Sequence, residues 1–342
     1  MSDASHQTTS VDGDVVTFRV PDPEHALGGV RLWTDLDLPL SSDFGPTDAG
    51  WELTLTGLPL DRIEYLLEID GELGTDAGNP LLVAGAFGDH SWLPLAGYLD
   101  PPWLALEPVQ GERTGLTGAV TGELWTPAGI SADVGLPLLI SHDGPEMDAY
   151  GHLTRYVGAL VAAGRLPPMR VALLPPGQLG GQRNEEYAAN PEYAAHLVEE
   201  VLPAIGGVGA IQGRPVLMGQ SLGAVAALHA AWTHPGVFAG LFLQSGSFFT
   251  PETDPQESDF EQWPQITRFV AELEPGPGTA RSITLVCGTA EENLANNRLM
   301  AERLRTDGVE VHWGEVRDGH NWTCWRDLLD PHLTDLLASV WS

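Results

Sequence analysis

Gly219-Gln220-Ser221-Leu222-Gly223 is a G-x-S-x-G sequence. It follows a short apolar run, Pro215 to Met218, and opens an Ala-rich apolar stretch, Leu222 to Trp232. A serine on a sharp strand-to-helix turn stands clear of the chain, and small flanking residues let strand and helix pack closely. The N-terminus of the following helix offers positive potential where a reacting carbonyl develops negative charge. This context points to Ser221 as a nucleophile, against the plainer reading of a glycine-rich turn that happens to contain serine.

A serine hydroxyl is a weak nucleophile without a base. On a strand-turn-helix scaffold the partners follow in the order serine, acid, histidine. His320 lies beyond the last predicted strand, in Asp318-Gly319-His320-Asn321-Trp322, where a loop would return to the nucleophile. The acid should follow the apolar run Ile283 to Cys287, and the loop there contains Glu291 and Glu292. Either carboxylate could orient the imidazole and stabilise its charged form. Glu291 is preferred, with the helix dipole as the other use for such charges. An oxyanion hole needs N–H donors. Leu222 supplies one by its place after the nucleophile. The loop Ser141-His142-Asp143-Gly144-Pro145 supplies the other, and because Pro145 has no N–H the Gly144 amide is expected. A simple turn is the alternative there.

The elements around these residues predict an α/β-hydrolase fold. Leu136 to Ile140, Val171 to Leu174, Pro215 to Met218, Leu241 to Leu243 and Ile283 to Cys287 read as buried strands. Helical stretches are expected over Pro191 to Ile205, Leu222 to Trp232, Leu294 to Leu304 and Leu328 to Trp341. Strands alternating with helices give a mainly parallel sheet covered on both faces. Before it, Val16 to Val20, Val30 to Trp33, Trp51 to Leu55 and Ile63 to Ile69 alternate apolar and polar residues, as half-buried antiparallel strands do. A small β-sandwich is the economical fold for residues 1–112. The proline-rich stretch from Asp100 to Pro108 breaks the strand rhythm. The catalytic domain is then expected over 113–342, with an acidic loop or lid at 251–265.

The chain has 342 residues and a formal net charge of −31, and its sixteen basic residues are all arginine. Such a field repels nucleic acid and anionic membranes, so neither is an expected partner. No run approaches the roughly 18 apolar residues of a membrane helix, and Met1 to Asp14 lack the pattern of a secretory signal. The expected location is cytoplasmic. Two cysteines, Cys287 and Cys324, do not make a disulfide scaffold, and free thiols are expected, although the two could lie near one end of the sheet. Metal-ligand spacings and phosphate-binding glycine loops are absent from the sequence. No metal or cofactor is expected.

Several segments taken in order resemble the enterochelin esterase family over most of the chain. They are His142-Asp143-Gly144, Arg183 within Gln182-Arg183-Asn184-Glu185-Glu186-Tyr187, Glu199 to Pro203, the Ser221 motif, Gln244-Ser245-Gly246-Ser247, and Gly319-His320-Asn321-Trp322 with Trp325-Arg326. Asn321 stands where that family usually has aspartate. The resemblance implies a β-sandwich before a hydrolase domain. It also implies cleavage of the ester bonds of a catecholate trilactone siderophore, usually iron-loaded, inside the cell. Arg183 falls where the family has a basic residue that holds the anionic substrate, a role for which a rigid guanidinium fork is suited. A salt bridge to Glu185 or Glu186 is its alternative use. Arg326 is a second candidate, and Trp322 and Trp325 could stack on aromatic acyl groups. Asp76 to Pro80 is similar to early-set modules, some of which bind glycans. Two other readings stand beside the siderophore one. The first is a general carboxylesterase or acyl transferase acting on aromatic or lipid esters. The second is a glycan- or partner-binding protein with a degenerate hydrolase domain.

Overall fold

The computed structural model describes residues 9–118, 120–274, 280, 282–306 and 309–341. The chain forms two compact units. The first contains the residues up to Leu99 together with Gly288–Glu291 and Arg317–His320. The second contains Asp100–Cys287, Glu292–Val316 and the chain from Asn321 onward.

The second unit is built on an eight-stranded sheet. Its order is Gly111–Gly115, Glu123–Pro127, Arg170–Leu173, Leu138–Ser141, Val216–Gln220, Gly240–Gln244, Ser282–Gly288 and Glu310–Val316. The first two pairings are antiparallel, and those from Arg170–Leu173 through Ser282–Gly288 are parallel. The apolar runs are unbroken because both faces are covered. Leu138, Ile140, Leu217, Leu241, Leu243, Ile283 and Leu285 enter one core, and Leu139, Val216, Met218, Phe242 and Val286 enter the other. The five buried strands expected from the sequence are all present. Glu310–Val316 and the two N-terminal strands of the sheet were not expected, since their residues keep neither an unbroken apolar run nor a regular alternation. The segment 251–265, expected as an acidic loop or lid, holds regular structure. Pro255–Asp259 forms a 3-10 turn, the helix Trp263–Glu272 follows, and the buried Asp254 carboxylate accepts from the Thr250 amide and from Asn296.

In the first unit, Thr9–Asp12, Val15–Pro21, Gly50–Thr56 and Gly45–Thr47 form one antiparallel sheet. Val30–Trp33, Arg62–Ile69, His90–Pro94 and Leu82–Val83 form another, with Glu72–Gly74 beside Arg62–Ile69. Val16, Phe18, Leu53 and Leu55 of the first sheet share a core with Val30, Leu32, Ile63, Tyr65 and Leu67 of the second. Alternation in sequence has become alternation of buried and exposed faces. Asp76 and Asn79, in the segment that is similar to early-set modules, are buried. Asp76 accepts from Thr9 and Tyr65, and Asn79 donates to the Tyr65 hydroxyl. These side chains tie the unit together.

Candidate active site

The candidate residues fall into two groups, one in each unit. In the second unit, Ser221 follows the strand Val216–Gln220 and precedes the helix Leu222–Thr233. Its backbone is held at φ 54° and ψ −122°, a strained conformation for a residue with a side chain. The Ser221 amide donates to the Gln244 carbonyl at 3.0 Å, and its carbonyl accepts from Ala224 at 3.1 Å. Gly219 is a steric requirement, and Gly223 is tightly packed. A Cβ on Gly219 would lie 2.3 Å from the Gly223 carbonyl oxygen, and one on Gly223 would meet the His142 Cβ at 3.2 Å. Leu222 is the first helical residue, and its N–H is one that an α-helix leaves without an intrahelical acceptor.

The strand Gly240–Gln244 ends beside this turn. Gln220 donates to the Gln244 side chain at 3.0 Å, and Gln244 donates to the Trp325 carbonyl at 2.8 Å. The Ser247 hydroxyl is 3.1 Å from the Ser221 hydroxyl. The segment that positions it is pinned by Asn297, which accepts from the Gly246 amide and donates to its carbonyl. Sequence reading noted Gln244-Ser245-Gly246-Ser247 as a likeness and assigned it no role. The signal was the second serine three residues past the strand end.

The loop after Leu138–Ser141 differs from expectation. The Gly144 amide, expected as an oxyanion donor, donates to the Leu174 carbonyl at 3.0 Å. Gly144 is needed for another reason, because a Cβ there would lie 2.4 Å from the Leu173 Cα. Asp143 precedes it in the left-handed region at φ 45°. Its amide makes only a long contact, 3.4 Å, to the Tyr187 hydroxyl. His142 is fully buried, and burial pushes its pKa down to about 4. Nδ1 lies 3.1 Å from the Gly223 carbonyl, so the neutral ring carries its proton there.

Arg183 was given Glu185 or Glu186 as its alternative partner, but it pairs with Asp143 instead. Nε donates to Oδ1 at 2.8 Å and a terminal nitrogen to Oδ2 at 2.7 Å, a bidentate fork. The guanidinium also sits over the Tyr187 ring at 5.3 Å. Burial opposes its charge, but the Asp143 carboxylate outweighs burial and raises its pKa. Glu186 is occupied by the amides of Gly177, Gln178, Leu179 and Gly181, and Glu185 accepts from the Gln182 amide. The Arg183 side chain keeps 37% exposure, so part of its fork still faces solvent. Arg326 pairs with Asp327 at 2.7 Å and its side chain is only 14% exposed.

The two tryptophans also separate. Trp325 is buried and donates to the Ser245 hydroxyl at 3.0 Å, which makes it a support for the strand end. Trp322 is partly exposed and meets Trp325 edge-on at 4.9 Å, with Tyr150 at 5.7 Å on another side. Cys287 and Cys324 are both buried and form no disulfide.

In the first unit, His320 and Glu291 form a pair. Nδ1 is 2.5 Å from Oε2. Glu291 is wholly buried at its side chain, and its other oxygen accepts from the Gly288 amide at 2.5 Å. A carboxylate at Nδ1 holds the proton on that nitrogen and puts the basic lone pair on Nε2. Glu292 belongs to the other unit. Among the described residues there is no cluster of three His, Cys, Asp or Glu arranged to hold a metal.

Comparison with known proteins gives these groups a context. The Esterase family model, described as "Putative esterase", matches residues 115–336. The iron(III) enterobactin esterase of Dickeya dadantii is 31% identical over 198 residues, which is 56% of this chain and 45% of that protein. The iron(III) enterobactin esterase of Escherichia coli K12 is 28% identical over 161 residues, 45% of this chain and 38% of its own. The matched part thus spans less than half the length of these relatives. The crystal structure of the Salmonella typhimurium ferric enterobactin esterase superposes with a TM-score of 0.76 at 20% identity, covering 97% of this chain and 95% of that one. A feruloyl esterase module from Clostridium thermocellum superposes at 0.53 with 13% identity, covering 71% and 93%. These likenesses show an α/β-hydrolase-like fold. With the family model covering more than half of its length, the chain belongs to the Esterase family, and the enterochelin esterases are the members it is similar to.

Proposed function

We propose that this protein is a cytoplasmic serine esterase that opens the ester bonds of a catecholate trilactone siderophore, with Ser221 as nucleophile, His320 as base and Glu291 as the orienting acid. The observation that carries the reading is the Ser221 turn. A serine at φ 54° between a buried strand and a helix N-terminus has few uses other than nucleophilic attack. The His320–Glu291 pair supplies the second requirement, an imidazole whose Nε2 is the basic nitrogen. The relatives named as enterobactin esterases supply the substrate class. In the same reading the first unit is a β-sandwich domain, and the ferric siderophore is the form that arrives.

The reaction runs in two halves. His320 Nε2 takes the Ser221 proton as Oγ forms a bond to the lactone carbonyl carbon, and the Leu222 amide donates to the oxyanion. The tetrahedral intermediate collapses, the ester C–O bond breaks, and the leaving hydroxyl receives the proton from His320. Water then loses a proton to His320 and attacks the acyl-enzyme, and Ser221 leaves with that proton. Arg183, steadied by Asp143, presents its remaining donors to catecholate oxygens. Trp322 and Tyr150 offer partly exposed rings for the aromatic acyl group.

A second reading has one observation in its favour. The net charge of −31 slows the approach of any anion, which suits a neutral aromatic ester better than a ferric tris-catecholate. Steady-state assays on ferric and iron-free catecholate lactones, feruloyl esters and a nitrophenyl ester separate the two. The siderophore reading expects the highest kcat/KM on a catecholate lactone and fails if feruloyl or short-chain esters are preferred. Ser221→Ala is expected to abolish all of these activities in a folded protein. Activity retained on any of these esters removes Ser221 from the mechanism. Labelling of Ser221 by a fluorophosphonate is expected, and its absence in folded protein favours a binding protein over an enzyme.

A further inference from the structure

The acid and base loops, Gly288–Glu291 and Arg317–His320, group with the N-terminal sheets, whereas Ser221 belongs to the other unit. Within the first unit these two loops are fastened at several points. Backbone bonds join Asp37 N–H to the Ala290 carbonyl at 2.9 Å and Asp61 N–H to the Arg317 carbonyl at 2.9 Å. The loops are joined to each other by the Ala290 amide, which donates to the Asp318 carbonyl at 3.0 Å. Ala290 is part of the same apolar core as Phe18, Ile63 and Tyr65.

At the centre of this arrangement is a buried charge cluster. Arg62 is 1% exposed, and its guanidinium lies 2.7 Å from the Asp318 carboxylate and 2.5 Å from that of Glu64. Asp318 stands two residues before His320, and its other oxygen accepts from the Gly319 amide at 2.7 Å. His90 faces Glu64 at 3.7 Å, and Arg317 lies 3.7 Å from Asp61. Asp35 completes the charged surroundings, coupled to Glu64, Arg62 and His320. Burying an arginine with two carboxylates is a poor way to gain stability, since desolvation offsets most of the attraction. It does fix geometry, because a planar fork holds its partners in set directions.

We infer that Arg62 is a positioning residue for the reaction, holding Asp318 and through it the His320 loop in register with Glu291. The first unit is then the holder of the base and acid, rather than a separate recognition module. This inference rests on the reading of His320 as the base.

The test uses the full-length protein and three variants, Arg62→Lys, Asp318→Asn and His320→Ala. Folding is followed by circular dichroism and melting temperature. Activity is read as kcat and KM on a nitrophenyl ester, and as the rate of Ser221 labelling by a fluorophosphonate across the histidine titration range. Arg62→Lys keeps the charge and loses the fork. Asp318→Asn is nearly isosteric and carries the test by itself if the lysine variant folds poorly. In both, kcat is expected to fall roughly 10- to 100-fold with KM changed by less than about twofold, as for a misplaced catalytic group. The midpoint of the labelling profile is expected to move to lower pH, because an imidazole out of line with Glu291 is a weaker base. A lower melting temperature with unchanged kcat and unchanged midpoint overturns the inference. His320→Ala separates this failure from failure of the underlying reading. If it stays active, the base is misassigned. If it is inactive while Arg62→Lys and Asp318→Asn are fully active, only the positioning role falls.

Discussion

The Ser247 hydroxyl stands 3.1 Å from that of Ser221, with Ser247 nearly wholly buried and Ser221 partly open. A buried hydroxyl touching the Ser221 oxygen fixes the rotamer of that oxygen, provided its own segment is fixed, and Asn297 secures Gly246 on both sides. Ser247→Ala removes one neutral hydrogen bond, worth about 0.5–1.5 kcal/mol net. The expected result is a fall in kcat of roughly 3- to 10-fold with little change in KM, checked by steady-state kinetics on a nitrophenyl ester.

Arg183 and Asp143 form the second coupled pair. Asp143 is 4% exposed at its side chain, so Arg183→Met leaves a carboxylate buried without its counter-charge. A loss of stability of about 3 kcal/mol is expected, read from urea unfolding. Arg183→Lys keeps the charge and gives up the bidentate fork. It is expected to raise KM for a catecholate lactone while leaving KM for a neutral nitrophenyl ester near its original value.

Gly219→Ala tests the turn itself. Its Cβ would meet the Gly223 carbonyl oxygen at 2.3 Å and the Ala224 amide nitrogen at 2.9 Å, both backbone atoms, so something must move. The expected outcome is a melting temperature lower by more than about 5 °C, from an overpacking cost on the order of 1–3 kcal/mol. Ser221 labelling should slow as well, since the same shift displaces its hydroxyl.

Asp35 gives a pH dependence. Burial first, and then the Glu64 charge, push its pKa up from 3.8 to about 6. Folding thus favours the protonated form. The stability this contributes is whole below the unfolded value near 3.8 and is lost as pH rises through about 6. Asp35→Asn, which mimics the protonated form, is expected to stabilise the protein above that range by on the order of 1–3 kcal/mol. It should give no gain below about pH 4. Urea unfolding on both sides of the transition checks the sign.

Much of the fold was legible because its signals are local. Leu138 to Ile140 and Leu241 to Leu243 are apolar at every position because both faces of the sheet are covered, and Val16 to Val20 alternate because one face is not. Gly219 follows from the steric needs of one tight turn. The strand Glu310–Val316 was missed because its alternation, Val311 and Trp313 between Glu310 and His312, breaks at Gly314 and leaves Val316 out of phase.

The sequence by itself determined the Ser221 turn and the core-forming strands, since each depends on neighbours within a few residues. Tertiary structure alone decided which groups meet. It gave His320 the Glu291 carboxylate, gave Arg183 a partner forty residues away in Asp143, and committed the Gly144 amide to Leu174. It also grouped the Glu291 and His320 loops with the N-terminal sheets, where Arg62 meets Asp318 from the far end of the chain. The physical reason is range. Periodicity and steric fit act along the chain, whereas charge pairs and hydrogen bonds depend on distances that only the folded backbone sets.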